Sequence, residues 1–239
     1  MPTKHQQLHA LTVKRKTSCW HGYHQIGDFH DGAYESDHVS PYTISAGNPD
    51  ADVFILLQDW ASADGLAGPI DQETVEFGHT PSLPTNRNLV RLLNTHFGLT
   101  LADTYATNLF PFIKPGGMSA TIPVRDLVKA AREFALPQIA IVQPRLVVCL
   151  GLQTFCAMQR ATGRRPAANL AEAIGSPLEV ESAMIWCQAH TGGLGQANRN
   201  RGGVDRVSSD WATMSHTLNG DRSSRRHRST RTPQASESA

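Results

Sequence analysis

The run Val53-Phe54-Ile55-Leu56-Leu57 constrains the fold of this chain more than any other stretch. It is too short for a typical helix and has no polar alternation, so it reads as a strand buried on both faces, as in a parallel sheet. It stops abruptly at Gln58-Asp59. A carboxylate at the carboxyl end of such a strand sits where open α/β sheets hold their ligands. The other reading of Asp59 is a cap for a helix beginning at Ala61-Ser62-Ala63.

The pattern recurs. Apolar runs at 104–109, 145–150 and 183–188 read as three further strands, the third closed by Gly151 and the fourth followed by His190. Between them lie stretches of helical period. Thr85-Asn86 opens one that carries Leu89, Leu92, Leu93, His96 and Phe97 and ends at Gly98. A second starts at Ile122-Pro123, passes Ala130, Ala131 and Phe134, and reaches Ile141, either continuous or broken at Pro137. Others are expected at 153–162 and 209–218. Alternation of strand and helix predicts an α/β fold: a three-layer α/β/α arrangement around a central four-stranded parallel sheet. The expected organisation is an irregular or helical N-terminal layer (1–50) packed on the sheet edge, an α/β domain (51–218) and a disordered basic tail (219–239). The long Gly- and Pro-containing stretch 61–84 reads as a functional loop, with Phe77 its one large aromatic. Asp59, Asn108 and His190 each follow a different strand. Such strand ends share one rim, so a carboxylate, an amide and an imidazole are expected to converge.

The 239 residues suffice for one sizeable core, and a formal net charge of +1 excludes a strongly polyanionic or polycationic body. The charge is uneven, with Lys14-Arg15-Lys16 near the start and Arg222, Arg225, Arg226, Arg228 and Arg231 near the end. Basic ends suit nucleic acid, or are simply solvated. No apolar run approaches membrane-spanning length and the N-terminus is polar, so a cytoplasmic protein with its four cysteines reduced is expected. Cys149 and Cys187 fall in apolar runs and read as core. Cys19, His21, His24 and His30 match no standard zinc spacing, so neither metal nor cofactor is expected.

The segment Leu57-Gln58-Asp59-Trp60-Ala61-Ser62 resembles motif A of the uracil-DNA glycosylase superfamily, GQDPYH in its best-known branch. His190-Thr191-Gly192-Gly193-Leu194-Gly195 resembles motif B, HPSPLS, with the His-to-Leu spacing kept. Tyr105-Ala106-Thr107-Asn108 with Pro115 and Pro123, and Leu136-Pro137-Gln138-Ile139 with the 144–151 segment, resemble the iron–sulfur branches. The similarity spans about residues 50–195. Phe134 stands where a cluster cysteine would fall, so no cluster is expected.

The resemblance implies a monomeric, monofunctional enzyme that flips uracil out of single- or double-stranded DNA and hydrolyses its N-glycosidic bond. Asp59 would face the cationic sugar and His190 would donate to uracil O2. Asn108 would donate to O4 and accept from N3–H, provided that its amide is locked. Gln58, Phe77 and Trp60 complete the implied uracil contacts. Trp60 stands among residues that replace the family's Pro-Tyr-His and either excludes thymine or anchors the core; Phe77 either stacks on the base or packs in the core. Ser62, Gly192, Gly193, Leu194, Asn198, Arg199 and Arg201 are the implied DNA contacts, with Leu194 as the wedge. The arginines hold phosphates or line a solvated loop. No lysine is visible near the motifs, so strand cleavage through a Schiff base is not expected. The competing readings are a superfamily member that binds uracil or damaged DNA without turnover, and a small-nucleotide site in the 190–203 loop. The last lacks both common phosphate-loop signatures.

Overall fold

The computed structural model describes residues 1–216; the expected tail lies outside them. The chain forms an α/β fold with a mostly parallel five-stranded sheet flanked by helices. The strands are β1 (Val53–Asp59), β2 (Tyr105–Phe110), β3 (Leu146–Leu150), β4 (Leu178–Val180) and β5 (Ala183–Gln188), in the order β2-β1-β3-β5-β4. Four of them match the expected set. The fifth corrects it: β4 is a three-residue antiparallel edge strand on β5. At that length it carries no periodic signal, and a short edge strand discourages further pairing.

Ten helices are described: α1 (Lys4–Thr17), α2 (Ala63–Leu66), α3 (Gln72–Phe77), α4 (Pro84–Phe97), α5 (Val124–Ala130), α6 (Leu136–Val142), α7 (Leu152–Ala161), α8 (Leu170–Gly175), α9 (Gly193–Arg199) and α10 (206–216). Alternate residues of β1 feed two cores. Val53, Ile55 and Leu57 join Leu89, Leu92 and Leu93 of α4 and Trp211 and Met214 of α10. Phe54 and Leu56 join Leu127 of α5, Phe134, and Phe155 and Met158 of α7. This double burial explains the unbroken apolar run.

Local chemistry sets the element ends. Gly98 closes α4 in the left-handed conformation that a β-carbon disfavours. At Pro137 the continuous reading holds over the broken one. A π-helical stretch, Ala131–Ala135, joins α5 to α6 ahead of the proline, and Lys14 Nζ donates to the Glu133 carbonyl that Pro137 has no N–H to satisfy.

The N-terminal layer opens with a helix capped reciprocally by Thr3 and Gln6 and continues as irregular turns. It covers the free edge of β2: Ala106 N–H donates to Ala46 O, and Thr43 Oγ1 donates to Ala106 O. The basic run in α1 is paired internally. Arg15 is fully buried on Glu35, while Lys14 and Lys16 reach Glu133 and Asp37. None of the described helices is long and apolar enough to cross a membrane.

Candidate functional site

The strand order reverses between β1 and β3, because the chain steps from β1 to β2 on one side and returns to β3 on the other. The crevice beyond the carboxyl ends of those two strands is the natural ligand position of an open sheet. Asp59, the last residue of β1, stands at that point.

Asp59 is held on both oxygens. Gln58 Nε2 donates to Oδ1 at 2.9 Å, and Lys114 Nζ lies 2.8 Å from Oδ2. The side chains of Lys114 and Asp59 are only 4% and 9% exposed. Lys114 arrives there because the segments following β1 and β2 stay zipped beyond the sheet. Ser62 bridges Lys114 in parallel fashion, and Ala63 N–H donates to Lys114 O at 2.9 Å. Lys114 Nζ also donates to Met118 O at 2.7 Å. The absence of a lysine near the motifs is therefore corrected: one lies in contact with the carboxylate. As an ammonium inside this ion pair it has no lone pair with which to attack a sugar.

His190 follows β5, the neighbour of β3. Its Nδ1 accepts from Gly192 N–H at 3.0 Å, which leaves Nε2 as the N–H-bearing atom of the neutral ring. Crowding around this rim residue lowers its pKa, and the Asp59 carboxylate opposes that shift. Close backbone approach shapes the loop. A β-carbon on Gly195 would meet His190 O at 2.3 Å, and one on Gly192 would lie 3.0 Å from both His190 Nδ1 and Thr85 Oγ1. Gly151 follows β3 at φ 99°, ψ 151°, a region essentially reserved for glycine, and a β-carbon there would lie 3.9 Å from the His190 Cβ. Asn88 Nδ2 ties the loop to α4 through Thr191 O at 2.8 Å.

Asn108 is placed differently from expectation. It lies within β2, opposite Leu57, and is 1% exposed rather than projecting over the rim. Ser40 Oγ donates to its Oδ1 at 2.6 Å, which fixes the amide orientation, while its Nδ2 is buried with no partner. An unpaired buried donor is costly, about 1–3 kcal/mol, and is one of the groups in a fold most in want of a ligand oxygen.

The remaining residues divide. Trp60 donates from Nε1 to Gly78 O at 2.8 Å and packs edge-on against Tyr34, so its contacts are those of an anchor for the 61–84 stretch, which is not the expected long loop but carries α2, α3 and the first residue of α4. Phe77 ends α3 with its side chain exposed. Ser62 is fully buried as the cap of α2. Leu194, at the start of α9, is 77% exposed. The stretch expected as a loop carries α9: Gly193 and Asn198 are exposed on that helix, Arg201 is exposed just beyond it and Gly192 before it is half-buried. Arg199 makes a two-pronged ion pair with Asp210 of α10, its Nε at 2.7 Å and Nη2 at 2.9 Å. Among the described residues no three His, Cys, Asp or Glu side chains form a metal-holding group.

Sequence reasoning missed Lys114, Ser40 and His79. The buried His79 stacks on Tyr42 at 4.8 Å and donates from Nδ1 to Phe77 O. For Lys114 a signal existed: a lone lysine in the otherwise apolar run Phe110-Pro111-Phe112-Ile113. No family model matches the chain, and no curated protein matches it significantly.

Proposed function

We propose that this protein is a cytoplasmic DNA-repair hydrolase of the uracil-DNA glycosylase type, built on a three-layer α/β/α scaffold and lacking an iron–sulfur cluster. It takes uracil out of single- or double-stranded DNA as a monomer and hydrolyses the N-glycosidic bond. The observation that carries the reading is the fixed, neutral imidazole of His190, with an Nε2–H to donate, electrostatically coupled to the Asp59 carboxylate at the sheet's switch point.

Cleavage breaks the C1′–N1 bond, and the electron pair leaves with the base. Positive charge grows on the sugar and negative charge on uracil O2. Asp59 opposes the first and the His190 N–H stabilises the second. Water oxygen bonds C1′ and releases a proton, and the departing uracil anion takes up a proton from solvent. The Asn108 Nδ2 donor supplies the hydrogen bond that uracil O4 accepts and cytosine N4–H₂ cannot. Leu194 fills the space that the flipped nucleotide vacates. Arg201 and the glycine-lined backbone of the same loop take phosphates; Arg199 instead braces the loop against α10.

The ion pair between Lys114 and Asp59 favours a second reading, a uracil- or damage-binding protein without turnover. A carboxylate already neutralised by a buried ammonium offers less charge to a cationic sugar. Base release measured on uracil-containing DNA, single- and double-stranded, separates the two. Free uracil and an alkali-labile strand are expected from the enzyme. Tight binding with no release in single-turnover conditions would establish the binding protein.

A further inference from the structure

Away from this site, α5, the π-helical stretch after it and the chain around the end of α7 border an open groove of about 640 Å³. Arg125, Arg132, Arg160 and Arg164 line it, together with Val124 and Val128. No carboxylate is among its lining groups. Arg125 lies 3.5 Å from Asp126, whose other oxygen takes the Tyr23 hydroxyl. Arg132 spends Nε and Nη2 on the carbonyls of Ala161 and Arg160. It thereby offsets the negative end of α7, which would otherwise repel an anion. Among the described residues Arg160 and Arg164 have no carboxylate partner.

Four guanidinium groups lining one groove repel one another, and among the described residues only Arg125 has a carboxylate beside it. A planar guanidinium fork matches phosphate oxygens in pairs. The groove is larger than one phosphate and its charges come from two elements, so its ligand carries several. Val124 and Val128, one turn apart on α5, supply an apolar strip suited to the sugars of a nucleic-acid backbone, which inorganic polyphosphate lacks. We propose that this groove binds a run of successive phosphate groups, as presented by the backbone of a single-stranded nucleic acid or by inorganic polyphosphate. The proposal does not depend on the glycosylase reading, since no residue is shared.

The test uses the full chain and the double variant Arg160→Gln/Arg164→Gln, which leaves the Arg132 cap intact. Anisotropy of a labelled oligothymidylate is followed over a salt series, and binding of long-chain inorganic polyphosphate is followed by calorimetry. A nucleic-acid groove is expected to lose about 1.4 from the log–log salt slope, roughly 0.7 for each lost phosphate contact to a single strand. A polyphosphate groove is expected to leave the DNA slope unchanged and weaken polyphosphate binding at least about tenfold, the equivalent of about 1.4 kcal/mol. Both ligands unaffected, in a variant of unchanged melting temperature, overturns the proposal. Should the double variant fold poorly, Arg125→Gln, on α5, is expected either to lower the same slope by about 0.7 or to weaken polyphosphate binding; no change in both overturns the proposal equally. Base release assayed alongside reports on the glycosylase reading separately.

Discussion

Lys114 Nζ sits 2.8 Å from Asp59 Oδ2, and both side chains are almost wholly enclosed. Removing one partner of such a pair strands the other charge, at a cost of about 3–5 kcal/mol. Asp59→Asn and Lys114→Met are each expected to lower stability on that scale. The double variant is expected to lose less than the sum, because neither charge is then left alone. Denaturant unfolding of the three variants measures the coupling; strict additivity would show the pair to be unimportant. In folded Asp59→Asn, single-turnover base release is expected to fall by most of its value. Wild-type turnover there would remove Asp59 from its role.

His190 is expected to titrate below its ordinary value near 6.5, with Nε2 carrying the proton in the neutral form. The sign for stability follows. A depressed histidine leaves the unfolded chain binding more protons than the folded one as pH falls below about 6.5. Its contribution is present above that value and is lost as pH drops to the lower folded pKa. His79, desolvated against Tyr42, acts in the same direction. Nitrogen-15 NMR of the imidazoles reads both the tautomer and the pKa. A protonated Nδ1 in neutral His190 would refute the assigned donor.

Asn108→Asp tests base choice. The Ser40 hydroxyl can still donate to one carboxylate oxygen, but the free donor Nδ2 is replaced by an acceptor. The loss of the O4 hydrogen bond is expected to cost uracil about 1–3 kcal/mol and to shift the uracil-to-cytosine release ratio toward cytosine. An Asn that serves only to tie β2 to Ser40 would lower the melting temperature and leave that ratio where it was.

Leu194→Ala removes an exposed side chain and is expected to change stability by no more than about 0.5 kcal/mol. If Leu194 fills the flipped-out gap, release from double-stranded DNA falls while release from single strands is kept. Equal effects on both substrates would assign it to the loop rather than the duplex.

Gly78→Ala is expected to be among the most damaging single-methyl changes. Gly78 has φ 73°, and a β-carbon there would lie 1.8 Å from Pro41 O. The left-handed backbone alone costs about 1–3 kcal/mol, before the clash. The carbonyl that anchors Trp60 moves with it. A melting temperature equal to wild type would mean that the contact between 41 and 78 is not maintained in solution.

The sequence by itself determined the four parallel strands, the α4 boundaries and the strand ends that carry Asp59 and His190. Each rests on a local signal: an apolar run buried on both faces, a glycine in the left-handed conformation, a polar residue where the run stops. The N-terminal helix was less legible, because α1 buries few of its residues and its contacts are largely polar. Tertiary structure alone decided that Asp59 meets Lys114, that Asn108 is locked by Ser40 and sunk below the rim, and that Arg199 is paired with Asp210. Those partners lie far apart along the chain, or on separate helices in the case of Arg199. No periodicity reports them, because periodicity encodes only which face of an element is buried. Which polar group a buried charge finds is settled by packing, where an unpaired charge costs more than almost any local preference can repay.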